Sequence, residues 1–247
     1  MASSSILLYL PAILHAVGGS GTPDPSGNGI LYDVVRPGHA TYYDFADGTG
    51  ACMLEQLPEP QYVGAIGMSD YSTPVVEGKA YQQATLCGAY AKVTGSKGSI
   101  IIKIVDLCPD AICTKGHIDL SPEAFAAVGN LVDGYIPISW QLISTSMTGS
   151  IALRYKDGSS QWWTAVQVRN HRNPVATLEV KKGASWEALS RTDYNYFLAP
   201  WGLGVGYHTF RLTDVFGHQL IETSTYYLDQ YMPNPIDWTG REQFPAP

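Results

Sequence analysis

Three short stretches of this 247-residue chain carry residues that could move protons. Asp106 ends the apolar run 99–105, in Val105-Asp106-Leu107-Cys108. A carboxylate at the mouth of a buried strand is costly unless it is hydrogen-bonded or faces solvent. His117 and Asp119 stand two positions apart in His117-Ile118-Asp119-Leu120-Ser121. In an extended segment such positions share a face, and a His/Asp pair on one face can position a proton for acid catalysis. The competing reading is structural: Asp119 bonds free N–H groups at a helix start, or pairs with His117 and does no chemistry. The third stretch is Gly38-His39-Ala40-Thr41-Tyr42-Tyr43-Asp44, where Thr41 and Tyr43 would share one face and Tyr42 and Asp44 the other.

The elements that must position these residues are legible. Residues 99–105 form a β-branched run that predicts a buried strand, and residues 89–94 and 137–143 also predict strands. One helix is well marked. Ser121 can cap it, Pro122 suits its first position, Glu123 favours its positive end and Gly129 can stop it. Further on, 151–156, 166–169 and 178–181 alternate apolar with polar residues, separated by turn pairs such as Asp157-Gly158 and Lys182-Gly183. That is the pattern of an all-β sandwich.

Residues 30–143 hold 12 acidic and 6 basic residues, a net of −6, whereas 144–247 hold 9 of each and five of the six Trp. The shift predicts two domains, 30–143 and 144–247, joined near 144–149. With 15% charged residues and a formal net charge of −7, the chain is neither disordered nor a basic nucleic-acid binder. The apolar run 6–14 is too short to span a bilayer and no later run could, so no membrane role is expected. The run is followed by small residues and a Gly/Pro/Ser linker to residue 29, as in a secretory leader, although no basic residue precedes it.

Cys52, Cys87, Cys108 and Cys113 allow three pairings. A bridge between Cys108 and Cys113 would tighten a short loop, and Cys52–Cys87 would then close a longer one. A zinc site is the alternative, but the spacing lacks a CxxC and only His117 lies near, so no metal and no cofactor are expected.

Together, Gly38-His39-Ala40-Thr41-Tyr42-Tyr43, Val105-Asp106-Leu107-Cys108-Pro109, His117-Ile118-Asp119-Leu120-Ser121 and the block Ser160-Gln161-Trp162-Trp163-Thr164-Ala165-Val166-Gln167-Val168-Arg169-Asn170-His171 resemble an expansin, in order and spacing, from about residue 30 to the C-terminus. The second half is more similar to microbial members than to plant ones. The resemblance implies a six-stranded double-psi β-barrel followed by an immunoglobulin-like sandwich that acts as a carbohydrate-binding module. It implies a secreted, monomeric protein that binds cellulose and related wall glucans and loosens walls without hydrolysis. Thr41, Asp106 and Asp119 match the polar groove residues of the barrel, Asp119 being the aspartate on which loosening depends. Tyr43 and His117 are expected to contact substrate beside them. Cys108 stands where many microbial members have an aromatic groove residue, as in disulfide-bearing members.

The same barrel resembles that of family-45 endoglucanases, which invert and need two carboxylates with a water between them. Asp119 matches their acid. Asp44 lies near the place of their base, but one residue short, and a one-residue slip turns a strand side chain to the opposite face. A glycoside hydrolase, or a lytic transglycosylase acting on peptidoglycan with Asp119 alone, is therefore the alternative; a plain binding module is the third.

Adjacent Trp162 and Trp163 would point to opposite faces of a regular strand, unless a bulge or strand start lets both face out. The resemblance implies that Trp162, Trp163 and Tyr194 form a row of exposed aromatics, on which the C–H faces of a flat glucan can stack. It makes Lys156 a polar neighbour of that row, against the plain reading of a solvated strand-end charge. Trp186, Trp201 and Trp238 are expected to pack in the core or between domains.

Overall fold

The computed structural model describes residues 34–44, 50–55, 62–67, 70 and 84–247. The leader expected over 1–29 lies outside these. The first six strands are β1 (Arg36–Tyr42), β2 (Val63–Gly67), β3 (Tyr90–Gly95), β4 (Gly98–Cys108), β5 (Ile118–Leu120) and β6 (Ile136–Ile143). They close into a barrel in the order β1-β5-β2-β4-β3-β6. β1 runs parallel to β5 and β2 parallel to β4, and β6 seals the barrel against β1 in antiparallel register. Ala40, Ile66, Ile102, Ile104 and Ile118 are fully buried inside.

Helix α1 (Pro122–Val128) starts as the sequence dictates, with the Ser121 hydroxyl accepting from the Ala124 N–H. It lays Phe125 against the barrel core. Gly129 ends it in extended backbone, so the absence of a side chain, not a left-handed turn, explains the residue: a Cβ there would lie 2.4 Å from Ile136 Cδ1. The expected buried run 99–105 is only half buried. β4 is longer than that run, and Ile101 in its first half is 47% exposed.

Residues beyond the barrel form two facing sheets. One has the order β10-β9-β13-β14, from β10 (Ser185–Ala188), β9 (Val175–Lys182), β13 (Thr209–Asp214) and β14 (Gln219–Thr223). The other has the order β11-β12-β8-β7-β15, from β11 (Ser190–Arg191), β12 (Phe197–Ala199), β8 (Thr164–Arg169), β7 (Ala152–Tyr155) and β15 (Ile236–Thr239). Leu178, Phe210 and Leu212 of the first sheet pack against Tyr155, Val168 and Trp238 of the second, which makes the layer a sandwich. The molecule is all-β, as expected.

β8 departs from the expected alternation, because all six of its residues are buried. The apolar side faces the sandwich core. The polar side faces residues 50–55 of the barrel: Gln167 Nε2 donates to Cys52 O at 2.9 Å, Arg169 NH2 to Met53 O at 2.9 Å, and Asn195 Nδ2 to Cys52 O at 3.2 Å. Glu55 pairs with Arg154 at 2.8 Å and also with Arg169. The polar face of one sheet is thus buried by the other body of the molecule.

Candidate functional site

The barrel brings the polar residues into one row through strand register. Thr41 on β1 pairs with Asp119 on β5, Asp119 pairs with Ala65 on β2, and Ala65 pairs with Asp106 on β4. Residues opposite one another on neighbouring strands share a face. The row Thr41–Asp119–Ala65–Asp106 therefore crosses four strands on the outside of the barrel. The two aspartates are two strand spacings apart, about 9–10 Å between Cα atoms. Ala65, with its single methyl, is the floor between them. It packs with Tyr43 and the Cys108–Cys113 disulfide, which form one flank of the groove.

Asp106 is anchored. Its Oδ1 accepts from Ala51 N at 2.5 Å and from Leu107 N at 2.8 Å, and its Oδ2 lies 3.5 Å from the Tyr43 hydroxyl. Gly50 makes the first of these contacts possible. It has φ +58°, and a Cβ would lie 2.6 Å from Val105 O and 2.8 Å from Asp106 Cγ. Only glycine allows the loop to approach so closely. Cys52–Cys87 fixes the same loop covalently, and no cysteine is free. Both bridges are those expected from the spacing.

Asp119 is held by a single side chain, as the Thr41 hydroxyl donates to its Oδ1 at 2.6 Å. Burial pushes its carboxyl above the usual range. The Thr41 bond opposes this, and the charges of Asp110 and Asp106 push it further up. The Tyr43 hydroxyl is also held up, first by burial and then by Asp106 and Asp119, so it stays a neutral donor.

His117 differs from its expected role as a glucan contact. It is 1% exposed and lies beneath Thr41, its Nε2 at 2.9 Å from the Thr41 hydroxyl. Burial, then the nearby His39, lowers its proton affinity, so the ring is neutral. With Asp119 ionised, the one hydroxyl proton of Thr41 goes to the carboxylate, and the imidazole must donate to the hydroxyl. With Asp119 protonated, the chain can reverse, Asp119 donating to Thr41 and Thr41 to His117. The groove thus holds a short line of three hydrogen-bonded groups whose donor order depends on whether Asp119 carries a proton.

Asp44 lies exposed, two residues beyond the end of β1. Tyr42, which shares its side in the alternation, turns to pack on Phe125 at 4.9 Å. Among the described residues no group of three or more His, Cys, Asp or Glu side chains could hold a metal.

In the sandwich, Trp162 and Trp163 precede the regular part of β8. Ser160 N donates to Trp163 O at 2.6 Å, and Trp162 N to the Ser160 hydroxyl at 3.2 Å, closing a tight turn before Thr164. A strand start is where two adjacent rings escape alternation, and here Trp162 is 74% exposed and Trp163 partly exposed. Tyr194 is partly exposed beside Tyr196, ring centres 6.0 Å apart. Lys156 donates to Asp157 Oδ1 at 2.8 Å; that bond, more than the nearby Tyr196 and Tyr194, strengthens its hold on its proton.

Of the sandwich's three other tryptophans, Trp238 is buried as expected. Trp186 instead lies partly exposed, with the Arg211 guanidinium 4.8 Å over its ring. Trp201 is 89% exposed, the reverse of the expectation, because it rides on a turn outside both sheets. Two parts of the site escaped the sequence reading. One is Ala65, whose small neighbours Gly64 and Gly67 are the only hint of a groove floor. The other is the loop 50–55, which carries no motif and offers the backbone carbonyls of Cys52 and Met53 along with the Glu55 carboxylate.

Comparison with known proteins bears on this geometry. Residues 69–140 match the family model described as lytic transglycolase. The chain is 35% identical to Expansin-YoaJ of Bacillus subtilis (strain 168) over 87% of this chain and 88% of that one. It is 31% identical to expansin-like protein 3 of Dictyostelium discoideum over 66% of this chain and 49% of that one. The crystal structure of the apo expansin of Clavibacter michiganensis superposes with a TM-score of 0.73 at 31% identity, covering 86% of this chain and all of that chain. An Asp-to-Asn variant of that expansin, solved in complex with cellohexaose, gives the same TM-score at 30% identity, again over 86% of this chain and all of that one. With the barrel, the sandwich and this degree of identity along most of both chains, the protein belongs to the expansin family.

Proposed function

We propose that this chain is a secreted protein that binds cellulose through its sandwich and loosens glucan assemblies through its barrel groove, without hydrolysing them. The observation that carries the reading is the asymmetry of the two groove carboxylates. Asp119 is held by the Thr41 hydroxyl alone and burial raises its hold on a proton, whereas Asp106 Oδ1 is occupied by two backbone amides. An inverting hydrolase needs a second carboxylate free to activate water across the bond. Asp106 is engaged, and Asp44 is outside the row. The groove is therefore suited to gripping a sugar chain through hydroxyl contacts at Thr41, Tyr43, Asp106 and Asp119.

The Clavibacter variant binds cellohexaose, which supports a glucan as ligand here. Trp162, Trp163 and Tyr194 supply the rings, with Lys156 beside them. The two disulfides support an oxidising, extracellular setting, and among the described residues no helix is long and apolar enough to cross a membrane. Domains of 30–143 and 144–247 and a monomeric state are part of the same reading.

A second reading has a specific basis: the lytic transglycolase match over 69–140 and a single protonatable Asp119 fit cleavage of peptidoglycan with one acid. One experiment decides between them. Soluble sugar ends released from cellulose and from peptidoglycan are measured for the native protein and Asp119→Asn, alongside extension of isolated walls under load. The proposal expects no release above a protein-free blank, and extension that is lost in Asp119→Asn. Release from either polymer that disappears in Asp119→Asn would make the barrel a glycoside-cleaving enzyme.

A further inference from the structure

The Trp201 ring is 89% exposed and packs in neither sheet. Its loop is nevertheless held firmly against the platform. Gly202 has φ +71°, and a Cβ there would lie 1.9 Å from Gln161 O and 2.6 Å from the carbonyl carbon of Trp162. Gly202 N donates to Ala199 O and Gly204 N to Gln161 O, both at 3.0 Å. The loop can lie this close to the Trp162 backbone only because position 202 has no side chain.

The same end of the sandwich gathers more rings. Gly206 and Leu228 exchange backbone hydrogen bonds of 2.8 and 2.9 Å, which sets Tyr207 edge-on to Tyr227 with ring centres 5.1 Å apart. Gln161 Nε2 donates to Asp229 O at 2.9 Å, and Met232 N to Ser159 O at 2.8 Å, tying the Tyr227–Tyr231 segment to the Trp162 turn. Trp201, Tyr207 and Tyr231 are 89%, 61% and 69% exposed, well beyond what packing requires. From 199 to 209 there is no Asp, Glu, Lys or Arg, and from 224 to 236 only Asp229.

We propose that the glucan-binding surface continues past Trp162 around this end of the sandwich, with Trp201 as its next ring and Tyr207, Tyr227 and Tyr231 beyond it. The occupant is an uncharged β-glucan chain of the cellulose type. Rings with hydroxyls and almost no charge match a polymer that offers C–H faces and hydroxyls and carries no charge. The Gly204 N–Gln161 O bond joins the Trp201 turn to the residue before Trp162, so the added rings adjoin the platform. The inference rests on the platform reading above and extends it.

The test uses the full chain, with Trp162→Ala and Trp201→Ala compared with the native protein. Depletion isotherms on insoluble cellulose are combined with titration calorimetry against cello-oligosaccharides of increasing length. Trp201→Ala should bind the shortest ligands like the native protein, lose the gain in affinity with length, and bind cellulose about three- to tenfold more weakly, the worth of one stacked ring. Its melting temperature should not move, since the ring is 89% exposed. Native-like binding by Trp201→Ala at every length and on cellulose overturns the inference. So does an unchanged cellulose isotherm with a self-associated form lost in sedimentation, because a second copy then covers the face. Failure of the platform reading is seen separately, as native-like binding by Trp162→Ala.

Discussion

The barrel groove and the ring-bearing end of the sandwich are built in opposite ways. In the groove, four residues on four strands are aligned by register, and each polar side chain is held in place: Asp119 by Thr41, Thr41 by His117, Asp106 by two backbone amides. At the ring-bearing end the side chains touch little. It is the backbone beneath them that is fixed, by turns at Ser160, Gly202 and Gly206. A groove of this kind discriminates by donors and acceptors at set positions, whereas the other surface discriminates only flat from not flat. Changes in the groove should therefore register in stability and pH dependence, and changes on the rings in binding alone.

The sharpest way to test that contrast is at the seam between the two bodies. His171 is buried there, its Nδ1–H donating to Asn173 O at 2.9 Å, and burial lowers its pKa to about 3, with Lys103 and Arg191 adding to the effect. The unfolded chain binds this proton near pH 6.5 and the folded one does not, so stability falls as the pH drops through that window. Chemical denaturation at pH 7 and pH 4 should differ by more than about 2 kcal/mol, and His171→Gln should reduce the difference. An equal slope in His171→Gln would place the acid sensitivity elsewhere.

Gln167→Ala should come next in size. It removes the donor to Cys52 O and the acceptor of Arg169 Nε at 2.5 Å, leaving both buried partners short of a bond. A loss of about 1–3 kcal/mol in denaturant titration is expected. If stability is unchanged, the seam contributes little and the two bodies are independent.

Asp119→Asn should behave oppositely. The folded form keeps its proton to higher pH than the unfolded chain, so the ionised carboxyl weakens the fold at neutral pH and not below the ordinary carboxyl range. Asparagine keeps an oxygen for the Thr41 hydroxyl. The variant should match or exceed the native protein at pH 7, by up to about 1 kcal/mol, with the gain vanishing in acid. A destabilised Asp119→Asn would mean that the carboxylate is structural. The smallest effect concerns salt. With 9 acidic and 9 basic residues in 144–247, binding to cellulose should change less than about twofold when salt is raised from low to moderate strength. Release by salt would show that charge, and not stacking, holds the surface.

Much of this was legible in the chain because local rules governed it. The helix at Pro122 follows from Ser121 and Pro122, and of the three pairings that the four cysteines allow, the structure takes the one suggested by the short Cys108–Cys113 loop. Thr41 and Asp119 could be assigned to a groove through the family resemblance, and register then explains their contact. What escaped depended on partners distant in sequence. Gln167 and Arg169 read as a solvated strand face, yet they are buried by carbonyls at Cys52 and Met53, more than a hundred positions away. His117 reads as a substrate contact paired with Asp119, and burial beneath β1 makes it a support. Trp201 reads as core because large rings usually are, and only the turn at Gly202 shows it facing out.

The contact of loop 50–55 with β8 also has a mechanical meaning. If a chain resting on Trp162 and another lodged at Asp119 move apart, the tension between them is carried by the covalent connection after β6 and by this seam. At the loop, three donors grip two successive carbonyls, so the bonds share the load instead of opening one by one. The loop cannot unroll under that load, because Cys52 is tied to Cys87. Under the proposed function this joint would hold the two surfaces at a fixed separation, and reduction of the Cys52–Cys87 bridge would soften it while leaving the residues of both surfaces in place.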